Sequence, residues 1–193
     1  MAKTSGGNRG GGGGSDSAKL RKALKTEEAK IRNNNYETGI VLGSNGKVLL
    51  RKRGDEGQVG FTQEEIALMK DQVFTHNHPS GNTDRYSIGH AFSGDDYASG
   101  VNANVKEIRA VTKGYTFSMK RPKDGWKATP SEIKQAYNKI WMEHAKDAGR
   151  YMRNYKGNKK LASARADILI AHKSAKDMAK KFGWKYTRYS INK

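Results

Sequence analysis

The chain has 193 residues, of which 35% are hydrophobic, a length that suits one domain with appended segments. It contains no cysteine, which excludes disulfides and thiolate metal ligands, and no apolar run long enough to cross a membrane. The net charge of +18 favours a polyanionic partner, and the glycine-rich N-terminus lacks the apolar centre of a secretory signal, so we expect a cytoplasmic protein.

The first part of the chain carries signals for helices and a hairpin. Asn45-Gly46 predicts a hairpin turn, whose returning strand would place Val48 and Leu50 on one side. Thr62 and Glu65 have the spacing of a capping box, which opens a short helix. The predicted elements are a disordered tail at 1–15, a helix from a cap at Asp16 or Ser17 to about Arg32, strands at 36–43 and 47–53, a helix from Thr62 to about Asp71, and a buried strand at 73–76.

The second part is expected to be mostly helical after one pair of strands. Ile133, Tyr137 and Trp141 recur on one stripe, which predicts an amphipathic helix. From the order of elements we expect a mixed α/β domain at 16–128 and a basic, mainly helical extension at 129–193. The predicted elements are a helix from Ser93, strands at 105–112 and 115–119, helices at about 130–152 and 161–182, and a terminal strand at 184–191.

Two histidines follow the buried strand. Successive side chains of a strand point to opposite faces, so His76 and His78, two residues apart, face the same way. Pro79 ends the strand and places the pair beside a cleft. Two neutral imidazoles suit Zn²⁺, and we predict a metal site here rather than two polar residues that close a strand.

A carboxylate from the next helix can complete this site. Ser93 and Asp96 have capping-box spacing, which holds Asp96 at a helix start. Two histidines and one aspartate leave a fourth coordination position open, as in catalytic zinc sites. The simpler alternative is that Asp96 is only a capping residue.

A general base is also needed. Glu37 lies at the start of the first strand beside an apolar run, where a carboxylate is costly unless it has a role, and we predict that it is the base. Ser93 could donate a hydrogen bond to an oxyanion as well as cap its helix. The rival carboxylates are Glu56, Glu64 and Glu65.

These motifs together resemble the JAMM (JAB/MPN) metalloprotease family: Glu37 before a glycine-containing strand, His76-x-His78-Pro79, and Ser93-x-x-Asp96. The string at 76–81 is similar to the RadC-type branch, and the tail and basic end are similar to phage- and toxin-associated JAB domains. The resemblance covers roughly residues 36–122. It implies a curved β-sheet flanked by helices and zinc-dependent peptidase or isopeptidase activity on a protein or peptide, with ubiquitin-like proteins among the candidate substrates.

The resemblance also assigns roles. It implies His76, His78 and Asp96 as zinc ligands, with Glu37 and Ser93 as the catalytic glutamate and serine. The sequence departs from the family because thirteen residues separate Pro79 from Ser93, and residues 82–91 are interpreted as an insertion. Competing metal ligands inside this insertion are Asp84 and His90.

The C-terminal charge suggests an alternative function. From 141 to 193 there are fourteen Lys or Arg against four Asp or Glu, a net charge of +10. This pattern favours a nucleic-acid-binding protein that uses the JAB-like domain as a scaffold, and a metal-dependent nuclease is a third candidate. Trp184, Tyr186 and Tyr189 could stack on bases, although such alternating aromatics more often dock a terminal strand.

Overall fold

The computed structural model describes residues 12–79 and 90–191, and within them the chain forms one six-stranded mixed sheet and five helices. The mixed α/β class expected from the sequence is confirmed. In the described residues, no helix combines the length and apolarity of a membrane span. The elements in chain order are α1 (Gly12–Ile31), β1 (Thr38–Leu42), β2 (Val48–Arg53), α2 (Gln63–Met69), β3 (Val73–Asn77), α3 (Gly94–Asn102), β4 (Glu107–Val111), β5 (Tyr115–Lys120), α4 (Pro130–Asn154), α5 (Lys159–Phe182) and β6 (Lys185–Ser190).

The predicted N-terminal tail and the predicted insertion lie partly outside the described residues, at 1–11 and 82–89. The predicted start of the first helix is wrong, because α1 begins at Gly12 rather than after a cap at Asp16 or Ser17. A helix that is already nucleated gains one hydrogen bond for each residue it adds, so glycines of low intrinsic propensity can still join its end.

β1 and β3 are antiparallel neighbours, so the start of β1 and the end of β3 lie side by side at the same end of the sheet. The strands lie in the order β2-β1-β3-β4-β5-β6, with β3 and β4 parallel and all other neighbours antiparallel. In the β1–β3 register Gly39 lies opposite His76. Continuing that antiparallel register by two residues places Glu37 opposite His78, on the same face of the sheet.

Each face of the sheet has its own core. On one face α1 packs against alternate residues of β1, namely Ile40 and Leu42. The other face carries the larger core, under α3, α4 and α5. Its largest buried side chains are aromatic, which gives this face a rigid base for the residues near its edge. They include Phe74, Phe92, Tyr97, Phe117, Trp126 and Trp184.

A β-bulge corrects one expectation. Val48 and Leu50 were expected on one side of β2, but Val48 packs with α1 and Leu50 packs with the core of the opposite face. The register shifts between Val41 and Leu42, so Val41 pairs with Leu50 while Leu42 pairs with Val48. The extra residue reverses the side on which the following side chains point.

The C-terminal segment is built into the same sheet and core. β6 pairs antiparallel with β5, and Ile133 of α4 and Met178 of α5 are fully buried in the larger core. The indole Nε1 of Trp184 donates to the backbone oxygen of Trp126 at 3.0 Å. Of the three aromatics that could have stacked on bases, Trp184 is buried, Tyr186 is partly buried and Tyr189 is exposed, so the segment docks a terminal strand.

Candidate metal centre

The two histidines lie where β3 ends. His76 is fully buried within β3, and His78 follows the strand with its backbone nitrogen donating to the Val111 oxygen at 3.0 Å. The imidazole of His76 stacks on Phe74, with ring centroids 5.1 Å apart. The Nε2 atoms of the two histidines are 2.8 Å apart. Side chains alternate between the two faces of a strand, so both rings lie on the same face, as their spacing predicted.

Asp96 reaches the histidines from the start of α3. The predicted capping box is present: the backbone N–H of Asp96 donates a hydrogen bond to Ser93 Oγ at 3.1 Å. Both the backbone nitrogen and the hydroxyl of Ser93 donate to Asp96 Oδ2, at 2.6 and 2.8 Å. Oδ1 lies 3.1 Å from His76 Nε2, and Oδ2 lies 3.3 Å from His78 Nε2. The helix cap therefore fixes the carboxylate against both imidazoles.

These three side chains have the spacing of metal ligands. Their candidate ligand atoms all lie within 4.8 Å of one another. Tetrahedral ligands about 2.0–2.1 Å from zinc are separated by about 3.3 Å, which is close to the observed distances. Within 12–79 and 90–191, this is the one group of three or more His, Asp or Glu side chains so arranged.

Hydrogen bonding prepares His78 to be a ligand. Its Nδ1 lies 3.0 Å from the backbone oxygen of His90, which can only accept, so Nδ1 carries the proton. A neutral imidazole then presents an unprotonated Nε2 to Asp96 and His76, and an outer contact of this kind orients ligating histidines in metalloproteins. His90 thus contributes its backbone rather than its ring.

The cluster attracts positive charge. Burial acts to lower the pKa of His78, but the Asp96 carboxylate outweighs it, and the net shift is upward. Burial acts to raise the pKa of Asp96, yet His76 and His78 hold it well below its usual range. A carboxylate that stays ionised beside two imidazoles fits a divalent cation, which needs its ligands deprotonated.

Glu37 lies at the same cavity. Its side chain is 7% exposed and lines a cavity of about 410 Å³ together with His78, Ser93 and Asp96. Burial raises its pKa, assisted by the Asp96 charge and opposed by His76. A buried carboxylate of raised pKa beside a metal-binding group is the arrangement expected of a general base.

Asn77 fixes the backbone on both sides of Glu37. Its Oδ1 accepts from the Thr38 nitrogen at 2.7 Å, and its Nδ2 donates to the Tyr36 oxygen at 2.9 Å. The side chain is fully buried. Sequence reasoning missed this role, although the position between two strand-end histidines was a signal that its side chain points to the opposite face.

The structure separates the other candidates. Ser93 gives its single hydroxyl proton to Asp96, so it holds a candidate metal ligand, and its oxyanion role stays a prediction. Glu65 belongs to the capping box of Thr62. Glu56 is exposed at the cavity. Glu64 is not among the cavity residues, and Asp84 lies outside the described residues.

The cavity also includes residues that the sequence did not assign to the site. One side is formed by Tyr137 and Trp141 of α4 and by Ile170 and Ala171 of α5. Tyr137 and Trp141 were predicted on one stripe of a helix, but a periodic pattern does not reveal what that stripe faces.

Comparison with known proteins identifies no relative. No family model, no curated protein and no solved structure matches the chain. The resemblance to the JAMM family therefore rests on the residues that carry its motifs.

Proposed function

We propose that this protein is a zinc-dependent hydrolase of the JAMM type that cleaves an amide bond in a protein or peptide. The observation that carries the proposal is the convergence of His76, His78 and Asp96 within 4.8 Å, beside a cavity that His78 and Asp96 line together with Glu37. A mixed sheet with α1 on one face and the other helices on the opposite face is compatible with a JAB/MPN-like fold. Isopeptide-linked ubiquitin-like proteins are among the candidate substrates.

The residues of the site divide the chemistry between them. When bound, zinc supplies a Lewis acid that polarises the amide carbonyl and lowers the pKa of water to about 7. His76, His78 and Asp96 would hold it, and Ser93 keeps the Asp96 carboxylate in position. Glu37 accepts a proton from the attacking water and delivers it to the leaving nitrogen as the carbon–nitrogen bond breaks.

The first test concerns the metal. Elemental analysis of the full-length protein should find about one zinc per chain, and the variant with His76→Ala and His78→Ala should lose it, because one carboxylate is a weak zinc site. A wild-type protein that holds no zinc after purification and zinc dialysis contradicts the proposal.

The second test concerns the base. Glu37→Gln should keep its zinc and lower the rate of cleavage by about 10²–10⁴, because the amide cannot accept the proton. A fluorogenic peptide library and an isopeptide-linked substrate provide the assay. Glu56→Gln is the matched control, since this exposed carboxylate lies at the same cavity and should leave the rate near that of wild type. Equal rates for Glu37→Gln and wild type would remove Glu37 from the mechanism.

A second function, polyanion binding, is favoured by the net charge of +10 over residues 141–193. Lys156, Lys160 and Lys180 are exposed on this segment. Changing all three to Gln should weaken binding to a DNA duplex and reduce the slope of log K against log salt by up to about 3. The control variant removes the same amount of charge from α1, by changing three exposed basic residues to Gln: Arg21, Lys22 and Lys25. Salt-independent or undetectable binding at low salt contradicts this function.

A further inference from the structure

The cavity beside the metal ligands has an apolar wall. Tyr137 and Trp141 lie one turn apart on α4, and Ile170 and Ala171 of α5 line the same cavity. Ile170 is buried, whereas the Trp141 side chain is 40% exposed although it borders the cavity. A large aromatic surface is thus left open beside the polar groups of the candidate metal site.

This wall is fixed relative to the metal ligands. Tyr137 packs on Gly94, where an added Cβ would lie 2.9 Å from its Cδ1 atom. Gly94 is the first residue of α3 and stands two residues before Asp96. The ring of Tyr137 also contacts buried Tyr97, with centroids 5.9 Å apart. The close approach of α4 to the start of α3 therefore sets the distance between the apolar wall and the candidate zinc site.

The charge of the cavity contrasts with that of the chain. The protein has 37 Lys and Arg, yet none of them is among the described residues that line the cavity. The charged side chains there are the carboxylates of Glu37, Glu56, Asp96 and Asp167. Apart from the proposed zinc ion, the described lining offers no Lys or Arg that would offset the repulsion between these carboxylates and a phosphodiester, so it favours an uncharged substrate group over a nucleic acid backbone.

We infer that the wall formed by Tyr137, Trp141, Ile170 and Ala171 binds a large apolar or aromatic side chain of the substrate, adjacent to the amide that is cleaved. The inference rests on the proposed hydrolase function and adds a substrate class to it. A cavity of about 410 Å³ accommodates one such side chain beside the carbonyl group. Trp141 provides the main contact because it is the largest exposed surface of the wall, and buried aromatic residues dominate binding energies.

Hydroxamates test this inference without turnover, because the hydroxamate group itself ligates zinc. The zinc-loaded full-length protein is titrated by calorimetry with N-acetyl-phenylalanine hydroxamate and with N-acetyl-glycine hydroxamate. The phenylalanine compound should bind at least about tenfold more tightly, as expected for burial of a benzyl group. In Trp141→Ala the two compounds should bind with about equal affinity, and the affinity for the glycine compound should stay at its wild-type value.

Met142→Ala is the matched control, because Met142 is the next residue of α4, is 54% exposed and does not line the cavity. It should preserve the ratio of the two affinities. Equal affinities in the wild type, or an unchanged ratio in Trp141→Ala, overturn the inference and leave the hydrolase proposal standing. If neither compound binds the zinc-loaded wild type, the hydrolase proposal fails and the inference fails with it.

Discussion

At the scale of single residues, Asn77 shows how one side chain can organise a site on a strand that is not its own. It lies between two candidate ligands, but alternation along β3 points its amide away from them and toward β1. There it replaces the ladder hydrogen bonds on either side of Glu37 with two bonds from its side chain. The position of the proposed base relative to the candidate metal ligands therefore depends on this amide.

Asn77→Ala should destabilise the protein by about 1–3 kcal/mol, because two buried backbone groups lose their partners. It should also lower kcat while leaving the zinc content unchanged, since Glu37 loses its fixed position. Urea unfolding, elemental analysis and peptide cleavage measure the three effects.

The control for this variant is Asn158→Ala, which removes the N-cap of α5 and a bond to the Leu161 nitrogen. It should cost about 1 kcal/mol and leave kcat unchanged. If both variants lower kcat in proportion to their loss of stability, Asn77 has no positioning role.

At the scale of elements, three helices begin with the same capping box, and in only one of them does the box itself belong to the candidate site. Thr62, Ser93 and Thr129 each accept from the backbone of an acidic residue three positions on, which reaches back to the cap. In α3 that acidic residue is Asp96, whose carboxylate also contacts both histidines. A common local device for starting a helix has thereby become the support of a candidate metal ligand.

This arrangement predicts a difference between two similar substitutions. Ser93→Ala and Thr129→Ala should each cost about 1 kcal/mol, because each removes a helix cap. Only Ser93→Ala should also weaken zinc binding, by about 10–100-fold, because it frees the Asp96 carboxylate to move. Competition with a fluorescent chelator measures the affinity, and equal zinc affinities for the two variants would show that the hydroxyl of Ser93 does not support the site.

At the scale of the whole molecule, a partly buried contact in the C-terminal segment connects α5 to the sheet. The Tyr186 hydroxyl of β6 is hydrogen-bonded to Nδ1 of His172 in α5, with the two atoms 2.9 Å apart. Burial, together with the charges of Arg188 and Lys176, lowers the pKa of His172 to about 4. The ring is therefore neutral in the folded protein at pH values where an unfolded chain begins to protonate it.

The sign of the pH effect follows from this difference. Between pH 6.5 and 4 the unfolded state binds a proton at His172 that the folded state does not, so stability falls as the pH falls. Because the ring is partly exposed, we expect the loss to be no more than about 1 kcal/mol. Urea unfolding of the zinc-free protein at pH 7 and pH 5 should show it, and His172→Gln should lose less stability over that interval.

Tyr186→Phe is the control, because it removes the hydrogen bond and leaves the titrating ring in place. Its free energy of unfolding should fall between pH 7 and pH 5 by as much as that of the wild type. Identical pH dependence in the wild type and His172→Gln would mean that His172 does not titrate in this way.

Much of the fold could be predicted because its signals are local. The caps at Thr62 and Ser93 depend on residues three positions apart, and the hairpin depends on the dipeptide Asn45-Gly46. The side of β2 on which Leu50 packs could not be predicted, because one bulged residue reverses the alternation. A bulge is decided by how two strands and their cores pack, which no short sequence window contains.

The sequence by itself determined which side chains could bind a metal and how each is locally presented: a histidine pair with the period of a strand, and an aspartate held by a helix cap. Only the tertiary structure decided that Asp96 meets His76 and His78, that Glu37 shares their cavity, and that α4 and α5 supply an apolar wall with Trp141. The reason is physical: alternation and capping act within four residues, whereas these meetings depend on strand order and on helices packing over a common core.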